Sequence, residues 1–395
     1  NNLFGGAIFW VWNDNYDEVM YSDFNCEENP QTGEKLIDIA KDLKCSGVDR
    51  ALFSIFFSAD SIYTERLCKE CVYITTQYDN YNDVLNPELL SIIPNNRVKN
   101  CDYTARRLKD YPDGLLTAAD GTYESAWALK GFDGKMHSQN CLCPLVAKER
   151  MKEEVARITA EFPYYTGRFV DVYGINAAQK CFNENHPVKS FEECLEIKKQ
   201  AFENLKGLGL ITGTEDGFED LSDVLVYSEG PHSPVCFRIK DAGRQHKNMY
   251  SASQEKHIAK HMLDPRCRVP LFELIYHENL LLFPYWGDST DDSVSQINRK
   301  VLFALLFGCQ PLYSFSVKNY EKLKPYIISS YRKTSQISRF TAAEPVSDYR
   351  ILSDDYSLQQ TVFGKKYSVT VNFSDMPQSV NGKIIPPQDF IFEVL

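Results

Sequence analysis

The amino-acid sequence predicts an α/β protein, with a (β/α)8 barrel and a small C-terminal antiparallel β domain. Short apolar runs alternate with amphipathic segments up to residue 345. Such runs are typical of parallel strands that are covered on both faces. From residue 346 to 395, short strand-like runs are separated by turn residues, which indicates antiparallel pairing. We therefore predict two domains, 1–345 and 346–395.

The predicted barrel strands are eight apolar runs. In chain order they are FGGAIFWVW (4–12), RALFSIFF (50–57), VYITTQY (72–78), RFVDVYG (168–174), LGLITGT (208–214), DVLVYSEG (223–230), VPLFELIYH (269–277) and QPLYSFS (310–316).

Helices are predicted between these strands wherever apolar residues recur at helical spacing. The clearest is LVAKERMKEEVARITAEF (145–162), which has Met151, Val155, Ile158 and Phe162 on one face. The segment SFEECLEIKKQAFENLKGLG begins with a capping-box pattern, Ser190 and Glu193, and ends at a glycine. A helix before most strands is the arrangement that a barrel requires.

The connection between the third strand and the helix at 145 is unusually long. It covers residues 79–144, and connections of that length are usually functional. Because it leaves the C-terminal end of a strand, we expect it on the active-site side of the barrel. Trp127 and His137 are its candidates for lining a pocket. A cap without ligand contact is the alternative.

Composition excludes several classes of partner. The net charge of −11 disfavours a general nucleic-acid binder, because phosphate binding needs clustered basic residues. There is no run of 18 apolar residues, so we expect no transmembrane helix. The chain begins at NNLFGGAIFW, where no signal peptide is visible. The compartment therefore stays open.

The twelve cysteines are predicted to be reduced, structural thiols. CKEC (Cys68, Cys71) and CLC (Cys141, Cys143) contain zinc-ligand residues, but the gap between the two motifs is too long for a zinc ribbon or finger. A large chain does not need disulfides, so the cysteine content favours a reducing or anaerobic setting. We expect no required cofactor. The acidic turn DSTDDS (288–293) has the oxygen donors of a structural calcium site, without forming a complete calcium loop.

Two carboxylates stand at equivalent places in the fourth and fifth predicted strands. Asp171 is near the end of RFVDVYG, and Glu215 directly follows LGLITGT. Active sites of such barrels lie at the C-terminal ends of the strands, and adjacent strands are roughly 5 Å apart. The two side chains are therefore expected to flank one pocket. A pair of carboxylates in that position can perform glycoside hydrolysis, one as nucleophile and one as acid/base. Salt bridges at the barrel rim are the alternative.

Aromatic and polar residues follow several other strands at the same predicted end. Aromatic faces beside carboxylates and amides suit the surfaces and hydroxyl groups of sugars. We therefore predict a carbohydrate substrate. Besides Trp127 and His137, the predicted substrate-binding residues are Asp79, Tyr173, Glu229, Tyr276, His277, Trp286 and Asp288. Asn13 and Asp14, after the first strand, and Tyr78 and Asn80, beside Asp79, belong to the same rim.

The motifs RFVDVYG, ITGTEDG, DVLVYSEG, VPLFELIYHENL and PYWGDS resemble glycoside hydrolase families 101 and 129. These families contain endo-α-N-acetylgalactosaminidases and related α-N-acetylgalactosaminidases that act on mucin-type glycans. The resemblance covers most of the barrel and continues into the C-terminal β domain. It implies a retaining mechanism, with Asp171 as nucleophile and Glu215 as acid/base. Glu229 is the reserve for the acid/base role.

The sequence thus predicts a retaining α-glycosidase, and the resemblance favours α-N-acetylgalactosaminides. Two alternatives remain open. One is an α-galactosidase or α-glucosidase on a similar barrel. The other is a barrel that binds glycans without catalysis, although such a protein would typically lack one of the two carboxylates.

Overall fold

The computed structural model describes residues 3–12, 30–55, 61–93, 108–217, 219–244 and 249–395. Among these, the strands up to residue 316 are β1 (Ala7–Trp12), β2 (Ala51–Ile55), β3 (Ile74–Asn80), β4 (Asp83–Val84), β5 (Ser125–Lys130), β6 (Met136–Cys141), β7 (Gly167–Asp171), β8 (Ile211–Glu215), β9 (Tyr227–Glu229), β10 (Leu281–Phe283) and β11 (Leu312–Ser316). The α-helices are α1 (Pro30–Cys45), α2 (Ser61–Glu70), α3 (Pro144–Glu161), α4 (Phe191–Gly207), α5 (Ala252–His261), α6 (Leu271–Tyr276), α7 (Ile297–Phe307) and α8 (Tyr320–Thr341).

Eight of these strands form one sheet, in the order β10-β9-β8-β7-β3-β2-β1-β11. Pairing is parallel where its register is resolved, for β3 with β7, β7 with β8, and β9 with β10. The amide of Gln310, just before β11, donates a hydrogen bond of 2.9 Å to the carbonyl of Leu282 in β10. The sheet is therefore a near-closed barrel with helices between its strands, as the sequence predicts.

The seventh strand was assigned to the wrong residues. The segment predicted as strand 269–277 contains helix α6, and the strand is β10, a few residues later. A short continuous apolar run fits a strand and a helix equally well. Pro270 at the start of this run favours a helix, because proline is tolerated there and cannot donate to a sheet.

The long connection after β3 is folded rather than a simple loop. Strands β4, β5 and β6 form a three-stranded sheet in the order β4-β6-β5. A small apolar core of Leu85, Ile93 and Leu129 lies in this region. Its residues 94–107 lie outside the described part of the chain.

The C-terminal segment forms antiparallel β structure, as predicted. Its strands are β12 (Val346–Ile351), β13 (Leu358–Phe363), β14 (Tyr367–Asn372), β15 (Gln378–Val380), β16 (Lys383–Ile385) and β17 (Asp389–Val394). They form a four-stranded sheet, β12-β13-β14-β17, and the hairpin β15-β16. The four-stranded sheet packs on α7, where the Phe303 and Phe373 rings are 4.5 Å apart.

Contacts divide the chain into two compact units. Unit 1 comprises Asn1–Val11, Asp38–Phe53 and Val226–Leu395, and unit 2 comprises Trp12–Ile37 and Ser54–Leu225. The C-terminal strands therefore belong to the same unit as the last barrel strands. Among the described residues, no helix combines the length and the apolar character needed to cross a bilayer.

Candidate active site

Asp171 and Glu215 are the last residues of the neighbouring strands β7 and β8. Val170 pairs in register with Thr214, so the two carboxylates occupy the next matched position. Side chains alternate along a strand, and matched residues of parallel neighbours point to the same face. The two carboxyl groups are close enough to form a hydrogen bond with each other. The structure therefore brings these two residues together at the ends of neighbouring strands in unit 2, where the sequence predicts them.

Asp171 is held in a buried, hydrogen-bonded environment. Its Oδ2 accepts a hydrogen bond of 2.5 Å from the hydroxyl of Tyr78, which lies in β3. Burial raises the pKa of Asp171 well above its usual value, and the nearby Glu215 carboxyl raises it further. The Tyr78 hydrogen bond acts in the opposite direction, because it stabilises the ionised form. Ionisation of both touching carboxyl groups is unfavourable because the two negative charges repel each other, so the pair retains one shared proton.

The chain turns sharply after each of the two carboxylates. Val172 has φ of 63° and Asp216 has φ of 41°, both in the left-handed region. The Tyr173 amide donates a hydrogen bond of 2.6 Å to the Asp171 carbonyl, which closes a three-residue turn around Val172. A β-branched residue is strained in this conformation. The strain sits directly beside the candidate nucleophile.

Asp79 lies on the other face of the sheet, contrary to its predicted place in the pocket. It pairs in register with Val170, whereas Asn80 pairs with Asp171. Its Oδ2 is 3.7 Å from Nε of Arg168, whose guanidinium also donates to Gln77 at 2.9 Å. The prediction placed Asp79 beyond the third strand, but β3 extends through Asn80. The pleat therefore turns Asp79 away from Asp171.

Residues at the start of the long connection approach Asp171 more closely. Asn80 donates a hydrogen bond of 2.9 Å to Oδ2 of Asp83, the first residue of β4. The charge of Asp83 also raises the pKa of Asp171. Asp83 was not among the predicted site residues. The sequence signal for Asp83 is its position three residues after Asn80, in a run of amide and acidic side chains that follows an apolar strand.

The two predicted pocket residues of the connection lie on its small sheet. Trp127 is in β5 and keeps 40% of its surface exposed. His137 is in β6, where Nε2 is 3.1 Å from both carboxylate oxygens of Asp133. Part of the Trp127 side chain therefore reaches the surface, whereas the His137 ring is engaged within its own hairpin.

Tyr173 is a packing residue in the structure. It is buried, its hydroxyl donates a hydrogen bond of 3.1 Å to the Pro144 carbonyl, and its ring is 6.1 Å from that of Phe202. These contacts hold the segment after β7 against α3 and α4. Its predicted role as a substrate contact does not fit this burial.

In unit 1, Glu229 ends β9 beside an aromatic pair. Nε1 of Trp10 donates a hydrogen bond of 3.0 Å to Oε2 of Glu229. The ring of Trp286, which follows β10, is 5.2 Å from that of Trp10. The structure thus brings two predicted site residues, Glu229 and Trp286, into one cluster at the ends of parallel strands. Asn13 and Asp14 lie outside the described residues.

Asp288 belongs to a buried ion network in unit 1. Nζ of Lys300 is 3.2 Å from Oδ1 of Asp288 and 2.7 Å from Oδ1 of Asp292. The Tyr250 hydroxyl donates a further hydrogen bond to Asp288. The positive charge for this acidic turn is therefore supplied by Lys300. Asp288 is buried and is bound by Lys300 and Tyr250, so its role in the structure is to stabilise this turn.

Tyr276 and His277 do not lie at a strand end, so their predicted placement is wrong. Tyr276 ends helix α6, and His277 directly follows it. The His277 ring nitrogens are 2.8 Å from the Glu344 carbonyl and 3.1 Å from that of Gly308. Its ring packs on Phe363 of the C-terminal sheet at 5.2 Å. His277 therefore stabilises the packing of unit 1.

Comparison with known proteins identifies relatives of this chain. A model of the glycosyl hydrolases related to family GH101, designated GH129, matches residues 60–362. No curated protein sequence matches the chain.

Several solved structures share the fold. The ligand-free α-N-acetylgalactosaminidase NagBb from Bifidobacterium bifidum superposes with a TM-score of 0.66 at 16% identity, over 94% of this chain and 57% of that one. The same enzyme in complex with GalNAc gives a TM-score of 0.64 at 16% identity, with the same coverage of both chains. The cyclic α-maltosyl-(1→6)-maltose hydrolase from Arthrobacter globiformis gives 0.53 at 11% identity, over 100% of this chain and 99% of that one. This chain thus spans little more than half of the Bifidobacterium enzyme.

Proposed function

The chain belongs to the GH129 family of glycosyl hydrolases related to GH101, and from that premise we propose that it is a retaining α-glycosidase. The observation that carries the proposal is the contact between the Asp171 and Glu215 carboxyl groups at the ends of adjacent strands. Carboxyl groups in contact on adjacent strands fit the spacing of about 5–5.5 Å in retaining enzymes better than the gap of about 6.5–9.5 Å with which inverting enzymes admit a water molecule. The contact therefore supports a retaining mechanism.

In the proposed first step, an oxygen of Asp171 attacks the anomeric carbon of the substrate. The bond between that carbon and the glycosidic oxygen breaks, and Glu215 transfers its proton to the leaving oxygen. We assign the shared proton to Glu215 in the substrate complex, because the Tyr78 hydroxyl stabilises the ionised form of Asp171. The product of this step is a glycosyl ester of Asp171.

In the second step, Glu215 acts as the base. It removes a proton from water, and the water oxygen attacks the anomeric carbon on the face that the leaving group vacated. The ester bond to Asp171 breaks, which regenerates both carboxyl groups and releases the sugar with its original configuration. Two inversions give net retention.

The proposed substrates are α-N-acetylgalactosaminides of the mucin type. This specificity rests on the family and on the Bifidobacterium bifidum α-N-acetylgalactosaminidase structures, whose low identity supports the fold rather than the sugar. α-Galactosides and α-glucosides are the alternative substrates on a similar barrel.

The test is a panel of nitrophenyl α-glycosides that carry N-acetylgalactosamine, galactose or glucose, with the configuration of the released sugar followed by NMR. We expect hydrolysis of the N-acetylgalactosaminide with α-product formed first. An initial β-product would contradict the retaining mechanism. Binding of the glycans without hydrolysis of any member would instead indicate the non-catalytic alternative.

A further inference from the structure

A second cluster of reactive side chains lies in unit 2, apart from the carboxylate pair. Sγ of Cys143, Sγ of Cys181 and a ring nitrogen of His186 all lie within 4.8 Å of one another, and all three residues are buried. Sγ of Cys181 is 3.4 Å from Nδ1 of His186. Two thiols and an imidazole at such distances are the donor set that zinc prefers in proteins.

The His186 ring is oriented as a metal ligand would be. Its Nε2 is 2.6 Å from the carbonyl oxygen of Asp113. A carbonyl can only accept, so Nε2 carries the hydrogen, and Nδ1 of the neutral ring presents its lone pair to the sulfur atoms. Metal-binding histidines are typically held by this kind of hydrogen bond from the other ring nitrogen.

Backbone amides are directed at both sulfurs. The amides of Thr117 and Asn183 hydrogen-bond to Cys181. The amides of Leu145 and Val146, in the first turn of α3, hydrogen-bond to Cys143. A metal-bound cysteine is a thiolate, which such donors stabilise.

We propose that Cys143, Cys181 and His186 bind a zinc ion, with a water molecule as the fourth ligand. The gap between CKEC and CLC is too long for a zinc ribbon or finger. The structure supplies different partners for Cys143, from a segment far along the chain. The proposal is independent of the hydrolytic function.

The site would join two segments that flank the candidate nucleophile. Cys143 lies between β6 and α3, at the end of the long connection. Cys181 and His186 lie between β7 and α4, where Cys181 forms a β-bridge with Val188. Zinc would therefore cross-link the long connection to the segment that follows Asp171, and stabilise both.

A similar cluster in unit 1 lacks these features. His232, Glu273 and Cys309 are also buried close together. Arg268 lies among them, however: it donates a hydrogen bond of 2.8 Å to the His232 carbonyl, and its charge acts on both Glu273 and Cys309. A fixed guanidinium already balances the charge of this cluster and would repel a second cation.

The test is metal analysis of the full 395-residue chain, purified under reducing conditions and dialysed with and without zinc sulfate. We expect about one zinc per chain, and a thiolate charge-transfer absorption when Co²⁺ replaces it. Cys181→Ser and His186→Gln should each reduce the zinc content at least about tenfold. The matched control is Cys194→Ser. Cys194 belongs to the same buried cluster, but its sulfur accepts a hydrogen bond from the Gln179 amide, so this variant should retain the metal.

The proposal fails if the wild-type chain retains no zinc after dialysis and zinc does not raise its unfolding temperature. It also fails if Cys194→Ser loses as much metal as Cys181→Ser. A Cys143–Cys181 disulfide in non-reduced peptide mapping of freshly isolated protein would overturn it too, because oxidised sulfurs cannot ligate zinc. Asp171→Asn protein should bind zinc normally, which separates this result from the outcome of the glycosidase test.

Discussion

The hydroxyl of Tyr78 donates a hydrogen bond of 2.5 Å to Oδ2 of Asp171, across the parallel pair β3–β7. It favours ionisation of a carboxyl group whose pKa is otherwise raised by burial and by Glu215. Tyr78 therefore orients the Asp171 carboxyl group and opposes the rise in its pKa, and both effects favour a nucleophile. In the proposed mechanism it is the residue that decides which of the two carboxyl groups ionises.

Tyr78→Phe should lower kcat/KM and shift its acidic limb to higher pH. Loss of the donor raises the pKa of Asp171 further, so a higher pH is needed to ionise it. A hydrogen bond to a charged group is worth about 1.5–3 kcal/mol, or roughly 10–100-fold in rate. The pH profile of kcat/KM is the measurement.

The matched control for this change is Tyr173→Phe. It also removes a buried tyrosine hydroxyl, but that hydroxyl donates to the Pro144 carbonyl instead of a carboxylate. It should cost some stability and leave the pH profile in place. Equal shifts of the acidic limb in both variants would contradict the role assigned to Tyr78.

Asp171→Asn should abolish activity and raise thermal stability at neutral pH. The pKa of Asp171 is raised in the folded state, so the folded protein binds more protons than the unfolded one, and this group's contribution to stability is lost as pH rises through the folded pKa. The asparagine side chain does not ionise, so the substitution removes the free-energy cost of a buried carboxylate. The gain in unfolding temperature should be largest near pH 7 and should vanish below the unfolded-state pKa of about 4.

Asp49→Asn is a control of opposite sign. Burial raises the pKa of Asp49, but hydrogen bonds from Tyr331 and Arg339 outweigh it and lower the pKa. This substitution should therefore destabilise the protein near neutral pH, and progressively less as pH falls through the folded pKa. If Asp171→Asn behaved in the same way, burial of a charge would not be the dominant effect at Asp171.

The sequence was sufficient to predict the elements that depend on periodicity. The barrel, the C-terminal antiparallel strands and the convergence of Asp171 with Glu215 all follow from apolar runs of suitable length and from the rule that parallel strands end at one edge. Helix α4 begins as its sequence indicates, with the Ser190 hydroxyl accepting from the Glu193 amide at 3.1 Å. Local pattern and tertiary structure agree at these places.

The sequence failed where the outcome depends on a one-residue register or on distant partners. β3 extends two residues beyond its predicted end at Tyr78, which places Asp79 on the face of Arg168 instead of that of Asp171. His277 looks like a rim residue until its contacts with Gly308 and Glu344 are known. Likewise, no local spacing connects Cys143 with Cys181. Those relationships arise only from tertiary packing.

Val172→Gly should stabilise the protein and reduce its activity. Val172 has φ of 63°, and glycine adopts this conformation without strain. Relief of the strain, less the entropy that glycine loses on folding, should be worth about 1 kcal/mol. Activity should fall because the turn that follows the nucleophile becomes less rigid. Urea unfolding and kcat are the measurements.

Lys365→Gly is the corresponding control, in an exposed turn of the C-terminal sheet with φ of 56°. It should give a similar gain in the free energy of unfolding with unchanged kcat. Should Val172→Gly keep full activity, the turn at Val172 would have no part in positioning Asp171.

Trp127→Ala should raise KM for glycosides about tenfold and change kcat little. The indole is exposed on β5, and loss of an aromatic face under a sugar removes binding that is common to the ground state and the transition state. Phe132→Ala is the control, since Phe132 is an exposed aromatic residue between β5 and β6. Equal KM values for wild type and Trp127→Ala would exclude Trp127 from the substrate site.

Asp171→Ala and Glu215→Ala should both nearly abolish turnover, but they should respond differently to azide. Without Asp171 no glycosyl ester forms, and azide attacks the substrate directly to give an inverted azide product. Without Glu215 the ester still forms from substrates with a good leaving group, and azide then attacks the ester to give a retained product. The configuration of the glycosyl azide, read by NMR, thus identifies which of the two residues is the nucleophile.

The leaving group distinguishes the acid from the other carboxylates. General acid assistance is typically worth about 10²–10⁴-fold, and an activated aryl leaving group needs little of it. Glu215→Ala should therefore lose far more activity on a natural glycoside than on a nitrophenyl one, whereas Asp171→Ala should lose similar amounts on both. Equal losses for Glu215→Ala would remove Glu215 from the acid role. Glu229, which accepts a hydrogen bond from the Trp10 indole, would then be tested by the same pair of substrates.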